Sequence, residues 1–305
     1  MSTRTSVLPA AAWMAVSATG CWALYAAAVG TARGQAVDTA GMEAASALLS
    51  SASRAAQVAL DAVSVATLAA ACLVVAAIAF ARRRPSVAAG AIVLIVGANL
   101  TTQLLKNRVL SRPALAGEAW FGNSFPSGHA TVAMSVVCAL ILAAPAAWRN
   151  LVAWAGGCYA GGIGIATVVL SWHRPSDVLG GILVTGFWAG LVVLVGVLAR
   201  SQEAGWTASA PDRPLAGGPI VSAAAAATVL GAAAAAALGL GGLATRWQEP
   251  LGAMLTTAGV LGGALLTAGL CVLLAPRRAR RGGGGPVPHE PATAHAVNLR
   301  YRQGP

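Results

Sequence analysis

Charge is the first thing this chain lacks. Asp, Glu, Lys and Arg make up 10% of its 305 residues while 57% are hydrophobic, a balance too apolar and too charge-poor for a soluble domain. Lysine occurs once, as Lys106, among 20 cationic residues, and the four histidines are His129, His173, His289 and His295. The five cysteines (Cys21, Cys72, Cys138, Cys158, Cys271) all fall inside apolar stretches. A thiol there behaves as a small hydrophobe, which argues against a disulfide framework and a cysteine metal site alike. The formal net charge of +11 does not point to nucleic acid, because the cations are not spread over a polar face. They gather where apolar stretches end: Arg82, Arg83 and Arg84, then Arg149, then Arg200, then Arg277, Arg278, Arg280 and Arg281.

What the chain has in abundance is long apolar runs. A membrane helix needs roughly 20 such residues, and about eight runs meet that template, near 8–30, 61–81, 86–106, 128–147, 150–170, 177–199, 219–242 and 251–275. The first is longer than the apolar core of a secretory signal and lacks a small-residue cleavage site, so it is read as a span. These runs predict an all-α, polytopic transmembrane helical bundle. Residues 1–200 form its six-span core, 201–218 a cytoplasmic linker rich in Pro and Gly, 219–276 two appended spans, and 277–305 a basic, disordered cytoplasmic tail. The positive-inside rule places both termini in the cytoplasm and the segments 31–60, 107–127, 171–176 and 243–250 outside a plasma membrane. Segment 31–60 mixes Asp38, Glu43 and Arg54 with alanine-rich helical spacing. It is expected to be a short helix lying on the outer surface, without a part in chemistry.

Ionisable residues at membrane depth are costly and therefore mark function. Here they converge on two of the outer segments. The first, with its flanks, reads Lys106-Asn-Arg108-Val-Leu-Ser-Arg112-Pro113 and then Asn123-Ser124-Phe125-Pro126-Ser127-Gly128-His129; the second reads Ser171-Trp172-His173-Arg174-Pro175-Ser176-Asp177. Ser127 is positioned to cap the helix that follows it, and Pro175 suits the first turn of the next helix that starts at the same face. Two helix N-termini, Lys106 and Arg112 would then surround one spot with positive potential, a phosphate site. Lone cations of this kind are often interfacial and snorkelling; their convergence with both core histidines weakens that reading. Asp177 lies four residues after His173, in the first helical turn, where it can hold the imidazole in one tautomer and raise its basicity.

With these residues in view, the chain resembles the type 2 phosphatidic acid phosphatase superfamily, whose motifs are a Lys followed by Arg-Pro, a Pro-Ser-Gly-His and a His-x-x-x-Asp. The resemblance spans roughly residues 60 to 200. It implies a membrane enzyme that hydrolyses a lipid phosphate or lipid pyrophosphate without metal or other cofactor. His173 would be the nucleophile and form a phosphohistidine, Asp177 would orient it, and His129 would serve as general acid. Lys106 and Arg112, with backbone amides at Ser127 and Gly128, would bind phosphate. Two departures from the family pattern stand out. Five residues rather than six separate Lys106 from Arg112, and Ala166-Thr167 replaces the Ser-Arg that opens the third motif. Arg108 and Arg174 are the cations left to substitute for that arginine, and Thr167 keeps a hydroxyl donor. Phosphoryl transfer to an acceptor other than water, or lipid-phosphate binding and transport without catalysis, would also fit these residues.

Overall fold

The computed structural model describes residues 4–61, 63, 65–115, 122–203 and 248–275. Among them every regular element is helical: α1 (Arg4–Leu24), α2 (Ala32–Leu48), α3 (Ser53–Asp61), α4 (Val65–Ala81), α5 (Pro85–Leu104), α6 (Gly128–Ala143), α7 (Arg149–Val169), α8 (Pro175–Glu203) and α9 (Gln248–Leu274). Five helical stretches are long and apolar enough to cross a membrane, Val7–Val29, Pro85–Val109, Arg149–Val169, Pro175–Ala199 and Leu251–Leu274, and two shorter apolar helices, Leu68–Ala81 and Gly128–Ala143, pack among them. The chain is a multi-pass, all-α membrane protein. Its flanks carry exposed Leu73, Phe80, Leu100 and Trp154, whereas Thr102, Thr131, Ser135 and Asp177 are fully buried, the distribution a hydrocarbon surround imposes. Of the predicted linker, residues 201–203 continue α8; the rest of it, the predicted span 219–242 and the tail with His289 and His295 lie outside the described residues.

Small residues set how closely the helices approach. Along α7, Gly157 and Gly161 face α9, where a Cβ would stand 2.7 Å from Leu265 and 2.8 Å from Leu261 respectively. This small-x-x-x-small spacing lets backbones approach and gain dispersion contact where lipid supplies no hydrophobic drive. At the end remote from the motifs, buried Arg149 closes the bundle by donating to the carbonyls of Ala144 (3.3 Å) and Ala275 (3.4 Å). The second of these receives the chain as it leaves α9.

The segment 31–60 corrects its sequence expectation. It is not one helix lying on the surface: α2 turns Gln35, Asp38, Thr39, Met42 and Ala45 inward, all buried, and packs against α7, α8 and α9. Those positions follow the i, i+3, i+4 spacing of one helix face. Thr31 starts this helix by accepting from the amide of Gly34 at 2.9 Å, an N-cap.

Candidate functional site

The C-termini of α5 and α7 and the N-termini of α6 and α8 meet at one end of the bundle, and each arrives there by a local device. Helix α5 continues into a π-helical turn, Leu105–Val109, and leaves helical geometry at Leu110 (φ −104°, ψ 146°). The helix therefore ends before Arg112. The one-residue shortening between Lys106 and Arg112 would rotate them by about 100° on a continuous helix; here it is taken up by wider winding and an extended connection.

Asn123 ties this connection to the next motif. Its amide nitrogen donates to the carbonyls of Lys106 (3.1 Å), Leu110 (3.2 Å) and Phe125 (2.9 Å), while its oxygen accepts from the Phe125 amide. Ser127 then caps α6, accepting from Ala130 at 3.4 Å. Its own amide donates to the carbonyl of Asp177 at 2.7 Å, which joins the α6 and α8 N-termini through their backbones. The close approach depends on Gly181, where a Cβ would lie 2.6 Å from the Ser127 carbonyl oxygen.

Helix α7 ends in a Schellman turn: the amides of Ser171 and Trp172 donate to the carbonyls of Val168 and Thr167, both at 2.9 Å, with Ser171 left-handed at φ 56°. The His173 amide adds a third bond, to Thr167 O at 3.2 Å. This reversal carries the chain from α7 directly into Pro175 at the start of α8.

The two core histidines consequently face one another, with ring centroids 6.1 Å apart at a 67° tilt. His173 is buried and its Nδ1 lies 3.4 Å from Asp177 Oδ2. That partner favours a proton on Nδ1 and leaves Nε2 with its lone pair. Asp177, wholly buried, also accepts from the Arg174 amide at 2.9 Å and pairs with Arg112 Nη2 at 2.9 Å. Arg112 retains two buried donors, Nε and Nη1, with no partner among the described residues. A buried unpaired donor costs about 1–3 kcal/mol, more when charged, so these N–H groups identify the place where an anion would be welcomed. His129, half-buried, stacks obliquely on Trp172 with centroids 5.7 Å apart.

The structure thus gathers His129, His173, Asp177, Arg112, Ser127 and Gly128, and Asn123 holds the Lys106 turn beside them. Of the remaining candidates, Arg174 and Thr167 are engaged elsewhere and Arg108 faces outward. Arg174 is buried and its Nε donates to Thr39 Oγ1 at 2.8 Å; the Thr167 hydroxyl turns back onto its own helix, donating to Gly164 O at 2.7 Å; Arg108 is exposed. Three contributors had no signal in the motifs. Gln35 donates to the Val29 carbonyl (2.8 Å) and the Pro113 carbonyl (2.7 Å), Thr39 receives Arg174, and Asp38 accepts from the amide of Ser176 at 2.9 Å and from its hydroxyl. Burial, with the nearby charge of Asp177, pushes the Asp38 carboxyl up to about 7. Among the described residues no cluster of three His, Cys, Asp or Glu side chains is placed to hold a metal ion.

Residues 58–200 match the PAP2 superfamily. No curated protein and no solved structure matches the chain. The match encloses every motif residue from Lys106 to Asp177, and α2 precedes it. The chain accordingly carries a PAP2 superfamily domain over residues 58–200 and is a multi-pass membrane protein of the phosphatase type.

Proposed function

We propose that the protein removes phosphate from a lipid phosphate or lipid pyrophosphate through a phosphohistidine intermediate. The observation that carries this reading is the facing pair His129 and His173, with Asp177 on the Nδ1 side of His173 and the unpartnered Arg112 donors alongside. In the first step the Nε2 lone pair of His173 forms a bond to phosphorus as the bond to the leaving oxygen breaks. His129, protonated, gives its proton to that oxygen. In the second step His129, now neutral, takes a proton from water as the water oxygen attacks phosphorus and the P–N bond breaks, returning His173 and releasing phosphate.

Charge builds on the three equatorial oxygens during both steps. Arg112, Lys106 and the first free amides of α6 supply the counter-field, and the electrostatic work falls on these groups without a metal. The family's further arginine is replaced by Thr167, so Arg112 carries more of that stabilisation. The orientation that fits the cation distribution puts this end of the bundle at the outer face of a plasma membrane, with both termini in the cytoplasm. Phosphatidic acid, phosphatidylglycerol phosphate and polyprenyl pyrophosphates are the substrate candidates.

Phosphate release from phosphatidic acid and undecaprenyl pyrophosphate, by wild type and His173→Ala purified in detergent with EDTA present, tests the proposal. Release by wild type that falls by at least about 10³-fold in the variant is expected. Equal release by both proteins sinks the histidine mechanism, and release abolished by EDTA sinks metal independence. A labelled product other than free phosphate would reassign the protein as a phosphotransferase. Lipid binding without turnover would reassign it as a carrier.

A further inference from the structure

Asp38 is a buried carboxylate that the reaction above does not use, on a helix that precedes the family match. Its two bonds converge on a single residue, Ser176, which follows Pro175 at the start of α8. A helix begins with amides that have no partner inside the helix. Pro175 has none to offer, the Asp177 amide reaches the Arg174 carbonyl at 3.0 Å, and the Ser176 amide is satisfied by Asp38 at 2.9 Å. Asp38 therefore does for α8 what an N-cap side chain normally does from the preceding residue, but from another helix. A carboxyl group suits this place as an acceptor, because its two oxygens meet the two Ser176 donors one each.

The neighbours of Asp38 on the same face of α2 extend the grip. Thr39 holds the Arg174 side chain at 2.8 Å, and Gln35 holds the Pro113 carbonyl at 2.7 Å, next to Arg112. One helical face thus fastens the two connections that must meet for Arg112 to reach Asp177.

We propose that Asp38 is a positioning residue of the phosphoryl-transfer site, acting through Ser176 to fix the turn that carries His173 and Asp177, an inference that rests on the reading of that site given above. It touches neither substrate nor the reacting atoms. Its effect is geometric: displacement of the turn moves His173 Nε2 off the line of attack while the cations that bind phosphate stay.

The test is a double-mutant cycle in the full-length protein, with Asp38→Ala, Ser176→Ala and both together, reading kcat and KM for phosphate release. Amide hydrogen exchange over residues 173–178 is read on the same proteins. Asp38→Ala is expected to lower kcat by about tenfold or more, with KM changed less than about threefold. Ser176→Ala removes the hydroxyl bond and keeps the amide bond to Asp38, so in that background the same change should have a smaller effect that does not vanish, the mark of two residues coupled through one of their two bonds. Exchange at Ser176 and its neighbours should accelerate in Asp38→Ala. Asp38→Asn, which keeps the shape and one acceptor oxygen, serves if the alanine variant does not fold, with a severalfold loss expected. Additive effects of Asp38→Ala and Ser176→Ala, or a kcat within about twofold of wild type, would overturn the proposal. So would unchanged exchange over 173–178. If wild type releases no phosphate from any lipid, the functional reading falls, and the exchange measurement still decides whether Asp38 holds the turn.

Discussion

Asp177 and Asp38 are both deeply buried acids at this site, and their surroundings treat them differently. Asp177 has a guanidinium partner at 2.9 Å; breaking such a buried pair by removing one member typically costs about 3–5 kcal/mol. Among the described residues Asp38 has the two Ser176 donors in contact; burial, with the charge of Asp177, raises its carboxyl, and the Ser176 bonds and the charge of Arg112 lower it more weakly. Its ordinary value of 3.8 is raised to about 7 in the folded protein. The unfolded chain therefore ionises first as pH rises, and wild type loses folding stability progressively between those two values. Below both, the acid is neutral in either state and nothing is lost. Asp38→Asn removes this titration, so its melting temperature relative to wild type should climb from pH 4 to pH 7 and level off above. Thermal melts in detergent across that range check it, and a constant difference would mean that Asp38 does not titrate in this window.

The helices bring these residues together through backbone proximity at a few small positions. At Gly181 an added methyl would meet the Ser127 carbonyl oxygen at 2.6 Å and Thr131 Oγ1 at 2.9 Å. Gly181→Ala must push α8 away from the capped start of α6, and overpacking of this kind costs about 1–3 kcal/mol. The displacement falls between His129 and His173, so kcat should drop by about tenfold or more while the protein remains folded. Kinetics beside a thermal melt check both halves of that expectation.

Elements also explain which features could be read in advance. Ser127 as a cap, Pro175 at a helix start and Asp177 one turn beyond His173 are local signals, and each appears in the structure where its spacing put it. Helix α2 gave no such signal. Its buried face bears Gln35, Asp38 and Thr39, polar residues that read as solvated until their partners are known, and Ser176 lies 138 residues away from Asp38. Thr167 was ambiguous for a related reason: a threonine hydroxyl in a helix can turn outward or bond its own preceding turn, and tertiary surroundings decide.

Among the described residues, the fold gathers the buried acids and both core histidines at one end of an apolar bundle. The long apolar runs made the all-α membrane architecture legible, because only helices satisfy their backbone within a lipid-facing run. The packing of α9 against α7 was less so, since Gly157 and Gly161 signal close approach without naming the partner. At that end two histidines, the Arg112–Asp177 ion pair and two Arg112 donors without a partner among the described residues are assembled by four helix termini and braced by a fifth helix. The central claim is that His173 becomes covalently phosphorylated. The most direct measurement is to mix the purified protein with a lipid substrate labelled in its terminal phosphate, quench in base during turnover, and map the label by mass spectrometry. The account predicts label on His173, lost on acid treatment and absent from His173→Ala; label on any other residue, or undiminished phosphate release by His173→Ala, would contradict it.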